Sequence, residues 1–262
     1  MRVFVTGASG AIGSRIVPRL VAAGHDVVGA HHSPASAERV RAAGEAGARR
    51  FVAQSVAAFG RYAREGGPVK TEDDPVDATP PRHTELSSAA LAHLEQAVTG
   101  FGGIALRYGV FYGSASDGTI APVRKRQFPI VGDGGGIWSW IHLDDAAAAT
   151  VLALEHQGPA ILNVVDDDPA PVREWLPVLA QTLGARPPRR LPVWLARLLA
   201  GDFVVALSTE ARGASNARAR RELGWAPSHP SWREGFPAVY AGIGSAGRPK
   251  QRAAMRTGPS VG

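Results

Sequence analysis

Residues 6 to 13 read Thr-Gly-Ala-Ser-Gly-Ala-Ile-Gly, directly after the apolar run Val3-Phe4-Val5 and directly before a helix-patterned stretch, Ser14 to Ala23. A strand that ends in glycines can turn sharply into a helix, let its backbone approach a pyrophosphate, and aim the N–H groups of the first helical turn at the anion. Gly7, Gly10 and Gly13 suit those three tasks, and Thr6, Ser9, Ala11 and Ile12 complete the phosphate-facing turn. Glycines are common in ordinary turns too. The coincidence of strand, triplet and helix is what makes this a nucleotide-binding pattern, and it commits the chain to opening with a β-α unit.

At 262 residues the chain can bury a full core, as one α/β domain or one with a smaller appendage. It has no apolar run of about 18 residues, so no membrane span is expected. Met1-Arg2 leads straight into a strand pattern rather than a secretory signal, which points to a cytoplasmic setting. Zero cysteines exclude disulfides, a thiolate nucleophile and a cysteine-ligated metal. The net charge of +6 is concentrated near the end: Arg248, Lys250, Arg252 and Arg256 lie in a Gly, Ala, Ser and Pro-rich tail without acids, which reads as disordered. Arg124-Lys125-Arg126 and Arg186 to Arg190 lack interleaved aromatics and a groove-entering motif. They read as solvated surface, so neither nucleic acid nor membrane is an expected partner.

Strand patterns fall at Arg2 to Thr6, Asp26 to His31, Arg50 to Ser55, Gly103 to Tyr108 and Ala160 to Val165. Helical patterns fall between them, at Ser14 to Ala23, Ser36 to Ala46, Ser87 to Thr99, Asp144 to His156 and Val172 to Leu183. The alternation implies an α/β fold, a Rossmann-like doubly wound parallel sheet with helices on both faces. From Arg186 onward, prolines are expected to break the chain into short pieces. The expected division is a dinucleotide-binding domain over 1–165, a small C-terminal substrate lobe over 166–241 that borrows elements from 111–140, and a disordered basic tail over 242–262.

The chain resembles the extended short-chain dehydrogenase/reductases of the NAD-dependent epimerase/dehydratase type. The likeness rests on the glycine turn, Arg50-Phe-Val-Ala-Gln-Ser55, Thr71-Glu-Asp-Asp-Pro75 and Leu106-Arg-Tyr-Gly-Val-Phe-Tyr-Gly113. It continues through Val131-Gly-Asp-Gly134, Ile141-His-Leu-Asp-Asp145, Asn163-Val-Val and Glu222-Leu-Gly-Trp225, in the family's order. The resemblance implies a dinucleotide-binding oxidoreductase or epimerase. Its usual catalytic set is a Ser or Thr with a Tyr-x-x-x-Lys helix, in which the Tyr moves the proton and the Lys lowers its pKa.

This chain departs from that set. The serine falls on Ser55, but aligning the helix through Glu95 puts Ser87 in the place of Tyr and Leu91 in the place of Lys. Tyr62, His83 and His93 are the candidate substitutes; Tyr62, flanked by Arg61 and Arg64, is the one assigned to catalysis beside Ser55. Against it stands the reading of Tyr62 as a surface residue of a mobile loop. On the substrate side, relatives that take nucleotide-sugars place an Asn and an Arg where this chain has Val110 and Trp138. Arg107, Trp138 and Trp140 are therefore expected to line a site for an apolar or aromatic ligand, with core packing as the alternative for the tryptophans. Asp144 and Asp145 are read as helix caps. A Ser-His-Asp hydrolase from Ser55, His142 and Asp145 lacks a nucleophile elbow.

An NAD site has an acid at the end of the second strand; here the sequence is Ala30-His31-His32-Ser33. Arg15, His31 and His32 are assigned to a 2′-phosphate, which favours NADP over NAD. No third ligand is spaced to join the histidine pair, so no metal is assigned. Between His32 and Arg50 there is room for one helix, where relatives place two further strands and two helices. The shortened sheet can close in the order 2-1-3-4-5 or carry a local gap. Three readings follow: an enzyme acting on a small non-nucleotide carbonyl or hydroxyl substrate, an inactive dinucleotide-binding sensor, and a shortened non-enzymatic descendant. A homodimer is compatible with each.

Overall fold

The structure is a computed structural model and describes residues 1–30, 50–80 and 84–241. The opening unit is β1 (Arg2–Thr6), α1 (Gly13–Ala22) and β2 (Asp26–Ala30), with the two strands parallel from Arg2 opposite Asp26 to Thr6 opposite Ala30. Next come β3 (Val52–Val56), β4 (Val69–Lys70), α2 (Glu85–Gly100) and β5 (Ile104–Tyr108). They are followed by β6 (Val110–Tyr112), α3 (Ile120–Arg124), β7 (Ile130–Val131), β8 (Ile137–Trp138), β9 (Trp140–His142), α4 (Leu143–Ala153) and β10 (Ala160–Val164). The chain ends, as described, with β11 (Ala170–Pro171), α5 (Val172–Thr182), β12 (Arg190–Leu191), α6 (Val193–Thr209), β13 (Gly213–Ala214), α7 (Ala217–Leu223) and α8 (Trp232–Tyr240). Among the described residues no helix is long and apolar enough to cross a membrane.

The five long strands form two parallel ladders, β2 with β1 and, separately, β3-β5-β10. Among the described residues β1 does not pair with β3, so the local gap is found and not a continuous 2-1-3-4-5 sheet. Strand β5 is central and buried at every position, as a parallel strand covered on both faces must be. Arg107 is its one charged residue.

Helix α4 joins the two ladders. Its Ala147 packs among Val3, Ile16 and Leu20 of the opening unit, while Ala146, Ala149 and Ala153 lie against Ile104, Leu106, Leu162 and Val164 of the three-stranded sheet. Small side chains let this helix approach a neighbour on both sides, so the alanine run does its work by packing. A second core gathers Tyr112, Trp138, Trp140, Trp175, Trp232 and Phe236 from segments on both sides of α4. Short two-residue ladders, β4 with β13, β7 with β12 and β8 with β11, tie its loops together.

Among the prolines from Arg186 onward, Pro192 sits at the N-cap of α6, where a missing N–H is harmless, and Pro237 lies inside α8. Helix α6 then runs on through a kink at Gly201, where φ is 80° and ψ is 172°. The expected helix at 36–46, His31, His32, His83 and the basic tail lie outside the described residues. Ala147→Leu adds methylene groups where α1 and α4 meet and is expected to lower stability by about 1–3 kcal/mol in urea denaturation. An unchanged midpoint would show that the two helices are not close-packed there.

Candidate functional site

The turn after β1 has the geometry its glycines allow. Gly7 adopts φ 71°, and its carbonyl accepts the N–H of Gly10 at 2.8 Å. A Cβ on Gly13 would lie 2.1 Å from that same carbonyl oxygen and 2.7 Å from the Ala8 Cα, so only glycine fits where α1 starts. Ser9, Gly10 and Ala11 are exposed on the outside of the turn, and Thr6 is the last residue of β1. Helix α1 begins at N-cap Ile12 without a side-chain cap and without an acid in its first turn. Its positive end therefore has no counter-charge from its own first turn. Arg15, expected on a 2′-phosphate, is otherwise engaged: it donates to Ala11 O at 2.8 Å and Gly113 O at 3.0 Å, and its Nε lies 3.2 Å from Asp144.

At the other end of the candidate site, Glu95 is the centre of a buried cluster. Neighbouring strands β3 and β5 place Ser55 opposite Arg107, and both side chains meet Glu95 of α2. Ser55 Oγ donates to Oε1 at 2.5 Å; Arg107 grips the carboxylate with Nε and Nη2, both at 2.8 Å; Arg61 Nη2 adds a bond at 2.7 Å. Burial alone would raise the Glu95 carboxyl, but hydrogen bonds from Arg107 and Ser55 and the charges of Arg107 and Arg61 hold it below the usual carboxylate range.

Tyr62 extends the cluster and is 1% exposed, so the reading as a mobile surface tyrosine is overturned. Its hydroxyl donates to Asn163 Oδ1 at 2.5 Å and accepts from Arg107 Nη1 at 3.3 Å. The flanking arginines do not serve it: Arg61 turns to Glu95 and Arg64 pairs with Glu210 at 2.7 Å. Burial pushes the phenol up despite Arg107, so it stays protonated. Arg107 is wrapped by Glu95 and Tyr62 and is buried. The Thr71 to Pro75 loop backs this wall: Glu72 accepts the Asn163 N–H at 2.6 Å, and Asp73 takes Arg218 of α7 at 2.7 Å.

On α2, Ser87 and His93 are exposed and Leu91 is half-buried. Trp140 is fully buried and Trp138 nearly so, with the Trp138 indole N–H on Leu207 O at 2.9 Å, so both belong to the core. The Asp144-Asp145 pair does not cap α4. His142 is the N-cap and accepts the Asp144 N–H at 3.2 Å, Asp144 binds Arg15 and Arg19, and Asp145 takes the Ser228 and His229 N–H groups at 2.8 and 2.9 Å. Potential ligand atoms of His142, Asp145 and His229 lie within 4.8 Å of one another. The two imidazoles stack face to face, centroids 3.7 Å apart at 22°, so their in-plane lone pairs do not converge on one ion. No sequence spacing signalled the Glu95 cluster, since its members come from two strands, a loop and a helix. Glu72 and Asn163 were visible only as parts of recognisable blocks.

The sequence matches the profile of the NAD dependent epimerase/dehydratase family over residues 3–44 and 36–164, two stretches that meet in the interval read as shortened. A Streptomyces protein described as 3-diazoavenalumate denitrifying reductase is 46% identical over 210 residues, covering 77% of this chain and 68% of that protein. The uncharacterized protein C2A9.02 of Schizosaccharomyces pombe is 25% identical over an alignment of 293 positions, covering 87% of this chain and 96% of its own. That alignment is longer than the 262-residue chain, so the yeast protein carries segments absent here. The crystal structure of human epimerase family protein SDR39U1 with NADPH superposes with a TM-score of 0.69 at 19% identity, over 93% of this chain and 99% of the human one.

Glu95→Gln leaves the buried guanidinium groups of Arg107 and Arg61 without their counter-charge and is expected to lower stability at pH 7 by about 3–5 kcal/mol in urea denaturation. Because the folded pKa is depressed, the carboxylate's contribution is full above the ordinary value of about 4.3 and is lost as pH falls through the folded value. The gap between wild type and Glu95→Gln should therefore narrow on acidification below about pH 4. A gap that stays constant down to pH 3 would show that Glu95 is not held ionised by these partners.

Proposed function

The chain belongs to the NAD dependent epimerase/dehydratase family, and from that footing we propose that it is an NADP(H)-linked reductase of a small electrophilic aromatic compound, acting without a side-chain proton donor. The observation that carries this reading is where the hydroxyl protons go. Ser55 gives its proton to Glu95, Tyr62 gives its own to Asn163, and α2 presents Ser87 and Leu91 at the family's Tyr and Lys positions. Reduction of a carbonyl needs a proton at oxygen as the hydride arrives, so a site built this way suits that chemistry poorly. An electron-poor group that takes a hydride alone has no such need.

The Streptomyces relative's name describes a reductase that removes nitrogen from a diazo compound. For an aryl diazonium ion the exchange balances without a further proton: Ar–N₂⁺ + H⁻ gives Ar–H + N₂, with the C–N bond broken and a C–H bond formed. The dinucleotide, when bound, supplies that hydride. Its pyrophosphate would be held by Gly7, Gly10 and Gly13 with the N–H groups of Ser9, Ala11 and Ile12 in the turn before α1 beside them. NADP is favoured because β2 is followed by His31-His32 and no acid, which leaves nothing to repel a 2′-phosphate. Ser55, Tyr62 and Arg107 act as positioning residues, fixing the wall beside the carboxyl ends of β3 and β5.

Two measurements test this. NADPH fluorescence titration should show binding by the wild type, tighter than NADH, and a loss of at least about tenfold in Gly13→Ala, whose new methyl group clashes with Gly7 O. With diazotised 3-amino-4-hydroxybenzoate, NADPH should be consumed in step with dinitrogen release, and Tyr62→Phe should keep kcat within a few-fold. A general acid contributes about a hundredfold or more, so a loss of that size in Tyr62→Phe with NADPH affinity unchanged would overturn the proton-free reading.

A further inference from the structure

A cleft opens where the loop leaving β3 faces α6. Phe59, Gly60, Tyr62 and Arg64 form one side, and Phe203, Leu207 and Glu210 form much of the other. It lies beyond the carboxyl end of a parallel strand, the place where open α/β sheets receive ligands. Phe59 is strained there: a bulky aromatic at φ 60° is a backbone outlier, and the ring is half exposed, edge-on to Trp138 with centroids 5.9 Å apart.

The cleft is narrow. Its free volume is about 20 Å³, room for a water molecule, and the Arg64–Glu210 ion pair, at 2.7 Å, is part of its lining. Both partners are well exposed, at 47% and 39%, so the pair is weak and readily exchanged. Arg64 has its backbone anchored, because Arg212 donates to the Arg64 carbonyl with Nε at 2.9 Å and Nη2 at 2.8 Å. Asp77, the other acid of the lining, is turned to the Thr79 N–H at 2.9 Å.

We infer that Arg64 is the anchor for an acid group on the substrate: an aromatic carboxylate enters between Phe59 and Phe203, and its carboxylate replaces Glu210 on the Arg64 guanidinium. The planar fork of arginine favours this exchange, since two parallel N–H bonds to a carboxylate are among the stronger contacts available at a partly exposed site. Glu210 occupies the Arg64 guanidinium until an anion displaces it. The inference rests on the reading of this cleft as the reductase's substrate site, and names the substrate as an acid.

The test needs neither cofactor nor turnover, so its failure is distinguishable from failure of the reductase reading. The full chain is titrated with 4-hydroxycinnamate, its methyl ester and tyramine, following tryptophan fluorescence. The wild type should bind the acid about tenfold more tightly than the ester. Arg64→Gln should abolish that preference, Arg64→Lys should keep part of it, and Glu210→Gln should tighten the acid about threefold by removing its competitor. Melting curves establish that each variant is folded, and Glu210→Gln reports on the exchange even if Arg64→Gln is not. Equal binding of acid and ester by the wild type, an undiminished preference in folded Arg64→Gln, or tighter binding of tyramine than of the acid would each overturn the assignment.

Discussion

The buried carboxylate of Glu95 is the interaction on which the candidate site depends. Strand β3 offers it a hydroxyl, strand β5 a two-pronged guanidinium, and the loop between β3 and β4 a second guanidinium. One anion thus fixes how α2 lies on the sheet and where the loop carrying Phe59, Tyr62 and Arg64 begins. The charge is affordable inside only because its lone pairs are all taken, and this is why the carboxyl remains ionised against its burial. Arg107 passes the restraint on to Tyr62, and Tyr62 passes it to Asn163 on β10. All three strands of the larger ladder are therefore bound to one another by side chains as well as by backbone.

The same cluster explains a chemical oddity. A hydroxyl that donates to a buried carboxylate or amide oxygen is a fixed strut, and its proton is not on offer to a substrate. In this family the serine and tyrosine hydroxyls are the expected proton route, yet Ser55 and Tyr62 are both struts here. A reaction that proceeds on hydride alone can tolerate that conversion. Carbonyl reduction would lose the proton it needs at the moment charge develops on oxygen.

The sequence was most legible where structure is repetitive. The expected strands at Arg2 to Thr6, Asp26 to His31, Gly103 to Tyr108 and Ala160 to Val165 lie within a residue of β1, β2, β5 and β10, because each reads as a short apolar run, most nearly continuous in the fully buried β5. The two-residue strands escaped because a ladder of that length has no period to read. The tryptophans misled for a related reason. Nothing in Trp138-Ser139-Trp140 says whether an indole faces a ligand or the core, and the answer depends on Trp175 and Phe236, which are distant in sequence. Nothing around Glu95 in the sequence signals its chemistry, since a lone glutamate in a helix normally faces solvent.

The shortened interval after β2 removes the segments that would normally flank β1, and the glycine turn nevertheless keeps its shape. Backbone pairing does not explain this, because among the described residues β1 pairs with β2 alone. The attachment is made by helices: Ala147 of α4 sits against Ile16 and Leu20 of α1, and Asp144 at the start of α4 binds Arg15 and Arg19 of α1. Arg15 also reaches Gly113 O, where a Cβ would stand 2.9 Å from His142 Nε2. Phosphate binding needs only β1, the turn and α1, and these are carried on α4 as a unit. Loss of sheet continuity therefore falls on whatever the missing strands would have oriented, and the anion-binding end of the molecule is spared.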